Sequence, residues 1–83
     1  MMEEVNLGEL RRALARRVSN TLRASRIDAD VSQEKLAALL GWTRNMIANI
    51  ESGRRATRLD DFVIIARALN IEPERLLRRV LQW

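Results

Sequence analysis

The chain has 83 residues, a formal net charge of +4, no cysteine and no histidine. A chain of this length forms one hydrophobic core, and its apolar fraction of 47% is too high for a disordered protein. Without thiols or imidazoles it lacks a disulfide framework and the commonest neutral-pH proton shuttle, so we expect a non-catalytic protein in a reducing compartment, with no cofactor and no metal.

The beginning of the chain does not resemble a targeting segment. The first five residues, MMEEV, are acidic, and no uninterrupted apolar run anywhere exceeds five residues, as in 62–66. Such runs are too short for a signal peptide or a membrane span. We therefore expect a cytoplasmic protein with a single domain over 1–83 and no separate effector domain.

Apolar residues recur at helical spacing along most of the chain, which predicts an all-α fold of five helices. The first helix is predicted over 7–27, and its apolar stripe consists of Leu7, Leu10, Leu14, Val18 and Leu22. The segment 28–30, with two aspartates, ends it. This helix is the longest of the five.

Two short helices joined by a tight turn follow. Ser32 is a predicted N-cap for a helix over 33–40, which Gly41 ends because glycine tolerates the left-handed conformation. Thr43 is the N-cap of the next helix, 44–52, which Gly53 ends. A helix-turn-helix over 33–52 is the result.

The fourth helix is predicted over 59–69, ending at Asn70, with Leu59 among the residues on or beside its buried face. The fifth is predicted over 72–82, because Pro73 suits a first helical turn. Its apolar residues fall in two rows, which is wide for one short helix. They are Leu76, Val80 and Trp83 in one row and Leu77 and Leu81 in the other.

The helix-turn-helix segment resembles the phage repressor and Cro family, also described as lambda repressor-like or Xre-like. The matching residues are Ser32, Gln33, Glu34, Leu36, Ala37, Gly41, Thr43, Ile47, Ile50 and Glu51. The similarity extends over about 18–77 and includes the Ile-Ala-x-Ala-Leu run at 65–69. It implies a compact five-helix DNA-binding domain whose third helix enters the major groove while the second crosses the phosphate backbone.

The residues of the third helix agree with that role. Because Ile47 and Ile50 face inward, Arg44, Asn45 and Asn49 are left on the outer side. Arginine forms two hydrogen bonds with guanine and asparagine two with adenine, so these are the predicted base contacts. A polar outer face that is merely solvated is the alternative.

Phosphate contacts are predicted at helix N-termini and in the basic loop after the third helix. Residues 31–58 carry five basic and two acidic side chains, whereas the segments on either side are nearly balanced. The predicted contacts are Gln33, Thr43, Arg54, Arg55 and Arg58, with Gln33 given the phosphate-clamp role by the resemblance. A loop that serves only solubility is the alternative for the arginines.

The resemblance also implies an internal ion pair between Arg26 and Glu51, which we assign to structure rather than to DNA contact. Two positions depart from the family pattern. Asp30 stands where the family usually has glycine, and aspartate can adopt the left-handed conformation at moderate cost. Trp42 occupies a turn position usually held by a smaller residue. It could pack over the sugar-phosphate edge, or it could fill space in the core or at the surface.

A symmetric dimer on a palindromic operator is the expected assembly. We predict its interface at Leu76, Val80, Leu81 and Trp83. Alternatively, the long first helix covers one apolar row of the last helix within the same chain.

The expected function is that of a transcriptional regulator, most simply a repressor, of the Cro, controller-protein or antitoxin type. The rival interpretation is a protein-interaction module, such as a toxin-binding antitoxin, in which the helix-turn-helix is a scaffold. Catalysis is disfavoured because adjacent carboxylates such as Asp60 and Asp61 point apart on a helix.

Overall fold

A computed structural model describes residues 6–82. It contains five helices in the order α1 Leu7–Asp28, α2 Gln33–Leu40, α3 Arg44–Ser52, α4 Leu59–Ala68 and α5 Pro73–Leu81, with no strand in the described part. The predicted all-α, five-helix fold is therefore confirmed. None of the helices within 6–82 combines the length and the apolar character that a membrane crossing requires.

Local capping chemistry sets the bounds of α2 and α3. The Ser32 Oγ accepts a hydrogen bond from the Lys35 backbone N–H, and Thr43 Oγ1 accepts one from Met46 N–H at 3.1 Å. Gly41 and Gly53 end the two helices with left-handed φ values of 70° and 81°. Most residues other than glycine are strained in this conformation, which explains why α2 ends at Gly41 and α3 at Gly53.

The other helices end within a residue or two of their predicted bounds. Asp30, with φ 59°, and Asn70, with φ 60°, adopt the left-handed conformation after α1 and α4. One correction concerns Leu59, which was expected on or beside the buried face of α4 but is 78% exposed. As the first residue of α4 it precedes Phe62, where the helix meets the core.

One hydrophobic core joins all five helices. α1 packs on α3 and α5, α2 packs on α3 and α4, and α4 packs on α5. The core residues are Leu22, Leu36, Ala37, Ile47, Ile50, Phe62, Ile65, Ala66, Leu69, Leu76 and Val80. Trp42 is half-buried and packs against this cluster, so it contributes to the core.

The core contradicts part of the predicted dimer interface. Leu76 and Val80 are 0% and 2% exposed, so neither is available to a second copy. The physical reason is that α5 packs across α1, where the Arg17 Nε donates to the Val80 carbonyl at 2.5 Å. This row of α5 is covered by its own chain, whereas Leu81 is 52% exposed. The prediction for Trp83 lies outside the described residues.

The first half of α1 extends beyond this core. The helix has 22 residues and is therefore about 33 Å long, and the described part of the chain measures 44 Å along its longest axis. Burial along the predicted stripe falls toward the start of the helix. Leu22 is buried, Leu14 is half-buried and Leu7 is 67% exposed.

Candidate nucleic-acid interface

The outer surface of α3 is polar because its apolar residues are used in the core. Ile47 and Ile50 are each 1% exposed. Arg44 and Asn45 are exposed and Asn49 is half-buried, as expected for residues on the opposite side of the helix. Asn45 and Asn49, one turn apart, lie on one face of α3, and Arg44 lies about 100° around the helix from Asn45. These three hydrogen-bonding side chains are called the outer row.

The outer surface also contains an acidic residue that sequence reasoning missed as part of the site. The Arg44 Nε lies 3.4 Å from the Glu34 Oε2, and both side chains are more than half exposed. This pair joins the first turn of α2 to the first turn of α3. An exposed pair of this kind contributes at most about 1 kcal/mol, so Arg44 can leave Glu34 for a better partner at small cost. No helical spacing pattern connects the two residues, so no sequence signal pointed to the pair.

A buried ion pair fixes α3 against α1. Arg26 donates to Glu51 twice, from Nε to Oε2 at 2.6 Å and from Nη2 to Oε1 at 2.9 Å. Its Nη1 also donates to the Val31 carbonyl at 2.7 Å. The hydrogen bonds that Arg26 donates to Glu51 raise the pKa of Arg26, which desolvation alone would lower. The ion pair implied by the family resemblance is thus formed, and it holds the last turn of α3 to the end of α1.

Gln33 is connected to the same buried carboxylate. It is half-buried at the first position of α2, and its Nε2 donates to the Glu51 Oε1 at 3.0 Å. A glutamine fixed by one amide N–H still has a second N–H available for a phosphate oxygen. The Arg26–Glu51 pair therefore also positions Gln33, the predicted phosphate clamp.

Thr43 has a capping role and retains a free donor. Its Oγ1 accepts the hydrogen bond from Met46 N–H, while its own O–H remains able to donate. The residue is exposed. A phosphate at the N-terminus of α3 would thus meet this hydroxyl and the positive end of the helix dipole.

The three arginines of the loop after α3 are not equivalent. Arg54 and Arg55 are exposed and form no salt bridge with any residue in 6–82, whereas Arg58 donates to both carboxylate oxygens of Asp60 at 3.0 Å. The hydrogen bonds raise the pKa of Arg58 and lower the pKa of Asp60. Two of the three loop arginines therefore have no salt-bridge partner within 6–82, and the third is paired with a carboxylate.

The predicted site residues thus cluster around α3. Its outer face carries the predicted base contacts, its N-terminus carries Thr43, and its C-terminus leads into the loop with the arginines. Glu51 links the same helix to Gln33. This arrangement combines groups that hydrogen-bond planar bases with groups that bind a polyanionic backbone.

Comparison with known proteins agrees with this geometry. A family model described as helix-turn-helix matches residues 22–76, which is most of the chain. Among solved structures, an XRE-family like protein from Pseudomonas syringae pv. tomato str. DC3000 has a TM-score of 0.84 at 23% identity, covering 90% of this chain and 92% of that one. At this identity the likeness is one of fold. No curated protein matches the sequence.

Proposed function

Because the chain belongs to the helix-turn-helix family and is thus a DNA-binding protein, we propose that it is a sequence-specific transcriptional regulator that inserts α3 into the major groove. The observation that carries the proposal is the division of α3 between a buried apolar face and an outer row of Arg44, Asn45 and Asn49. A helix of this width fits the major groove, where these residue types match base edges.

In this proposal the outer row determines sequence preference. Arg44 leaves Glu34 and donates to guanine O6 and N7, while Asn45 and Asn49 pair with adenine N6 and N7. Each such contact contributes about 1–3 kcal/mol of discrimination between bases. Glu34 then acts as a negative charge beside the DNA, which disfavours phosphate contacts made in the wrong register.

The phosphate contacts set affinity rather than sequence preference. Gln33 and Thr43 act at the N-termini of α2 and α3, and Arg54 and Arg55 act from the loop. Arg58 joins them when it exchanges Asp60 for a phosphate. Each of these groups lies at the start of a helix or in the loop that follows α3.

We further propose that the protein binds a palindromic operator as a homodimer, as a cytoplasmic repressor of the Cro, controller-protein or antitoxin type. Two copies of α3 would then lie about 34–36 Å apart, one turn of the duplex. The exposed apolar residues of α5, Leu77 and Leu81, are 45% and 52% exposed and favour a partner on this side.

The same apolar residues favour a second candidate function, a module that binds another protein through α5. In that case the outer row of α3 would be dispensable for partner binding. DNA selection separates the two functions, because only the first requires enrichment of a sequence.

The test is selection of random duplex DNA on the purified protein at near-physiological salt, followed by binding measurements on the enriched sequence. Arg44→Ala and Asn49→Ala should relax base preference at single positions. Arg54→Ala should weaken binding to all sequences alike and lower the salt slope, the steepness with which log affinity falls with log salt concentration, by about one. Equal losses on every DNA for all three variants would refute the base-contact roles. No enrichment at all would favour the interaction module.

A further inference from the structure

The flank of α1 that lies toward α3 is basic. At 100° per residue, Arg12, Arg16 and Arg23 fall on one flank of the helix, beside the buried Ser19 and Arg26. All three are exposed, in contrast to the half-buried Arg17 on the flank toward α5. α1 thus has exposed arginines on its flank toward α3 and a half-buried arginine on its flank toward α5.

This basic flank lies against the end of α3. Arg12 and Arg16 line a surface groove together with Ser52 and Gly53, which form the last turn of α3 and its cap. The approach is close, since a Cβ on Gly53 would lie 3.7 Å from the Ser19 Oγ. The arginines therefore adjoin the point where α3 leads into the basic loop.

The groove is positively charged because its single carboxylate is already neutralised. Glu51 is the acidic residue among those lining the groove, and it is paired with Arg26. Arg12 and Arg16 form no salt bridge with any residue in 6–82. A neighbouring groove between α1 and the loop is lined by Arg55, which extends the unpaired positive charge to the predicted phosphate contacts.

We propose that Arg12 and Arg16 bind backbone phosphates of the DNA next to those bound by the loop. The inference rests on the proposed function, and it extends the contact surface beyond the helix-turn-helix to the part of α1 that precedes residues 22–76. The two residues are one turn apart, about 6 Å along the helix. That distance corresponds to roughly two phosphates at 3.4 Å per strand along the duplex axis, so each guanidinium can bind its own phosphate.

The experiment compares two double variants that remove the same charge. Arg12→Gln/Arg16→Gln alters the proposed surface, and Arg75→Gln/Arg78→Gln alters exposed arginines of α5, which packs on α1 and α4. Glutamine and arginine have similar helix propensity, so both variants should fold. The probe is a 40-base-pair duplex of mixed sequence, titrated from about 0.05 to 0.3 M salt, and thermal unfolding is measured on each protein.

Each lost phosphate contact should lower the salt slope by about 0.9, so the α1 variant should lose about 1.8. If these contacts contribute nothing at 1 M salt, the same slope corresponds to a loss of roughly 60-fold in affinity at 0.1 M. The α5 variant should retain nearly the full slope, because its charges act only through the screened long-range field.

Equal effects of the two double variants would overturn the inference while leaving the proposed function intact. So would an unchanged slope accompanied by a lower melting temperature, since the arginines would then only stabilise the C-terminal end of α3. A wild-type protein that does not bind duplex DNA at all would overturn both the inference and the proposed function.

Discussion

Replacing Arg26 with methionine would leave Glu51 as an unpaired charge inside the protein. The side chains of Arg26 and Glu51 are 10% and 4% exposed, and two hydrogen bonds of 2.6 and 2.9 Å join them. Removing one partner from a buried pair costs about 3–5 kcal/mol of folding free energy. Among the hydrogen bonds to this carboxylate within 6–82, the one from the Gln33 amide, 3.0 Å long, would remain.

This loss is large relative to the whole stability of the domain. At about 0.05–0.15 kcal/mol per residue, a chain of 83 residues has roughly 4–12 kcal/mol in total. A domain of this size loses about 4–8 °C in melting temperature per kcal/mol, so Arg26→Met should lower the melting temperature by at least roughly 12 °C. Urea denaturation followed by circular dichroism would measure the same loss as a free energy.

The double variant Arg26→Met/Glu51→Leu provides the control. With both charges gone, much of the lost stability should return, because apolar residues often replace a buried ion pair without net cost. Recovery will be incomplete, since Gln33 and the Val31 carbonyl lose their partners. The reasoning is refuted if Arg26→Met costs less than 1 kcal/mol, or if the losses of the two single variants simply add in the double variant.

Two further predictions concern the ends of helices. Thr43→Ala should cost about 1 kcal/mol of folding free energy and also weaken DNA binding, whereas Thr43→Ser should preserve both, as measured by thermal unfolding and DNA titration. Asp60→Asn should free Arg58 and raise affinity for mixed-sequence DNA. Because the pKa of Asp60 is lowered on folding, its pairing with Arg58 stabilises the folded protein at pH values above the ordinary pKa of 3.8. This stabilisation is lost as the pH falls through the lowered pKa. Acid titration should therefore show the small stability difference between wild type and Asp60→Asn disappearing at low pH; a difference that persists would contradict the pairing.

The bounds of the helix-turn-helix could be predicted because each signal is local. Ser32 and Thr43 cap the helices with their own side chains, and Gly41 and Gly53 supply left-handed residues at the ends. None of these interactions depends on distant parts of the chain. The outer row of α3 could be predicted for a similar reason, because the residues that are buried on a helix determine which residues are exposed.

The ion pairs at the surface could not be predicted in the same way. Arg44 meets Glu34 across the turn between two helices, and Arg58 meets Asp60 two residues away at the start of α4. Neither pair has the three- or four-residue spacing that brings charges together on one helix. Both depend on where a flexible side chain rests once the helices are packed, yet both change which arginines are available to DNA.

The position of the dimer contact depends on a tertiary detail that α5 alone does not contain. Its two apolar rows are similar in sequence, and either could face inward. The packing of α5 across α1, with Arg17 donating to the carbonyls of Arg79 and Val80, turns the row of Leu76 and Val80 into the core. Leu77 and Leu81 are left at the surface by the same rotation. A second copy that binds at α5 would therefore contact this exposed row, so Leu81 is the residue of the predicted interface within 6–82 where a substitution would weaken assembly without opening a cavity in the core.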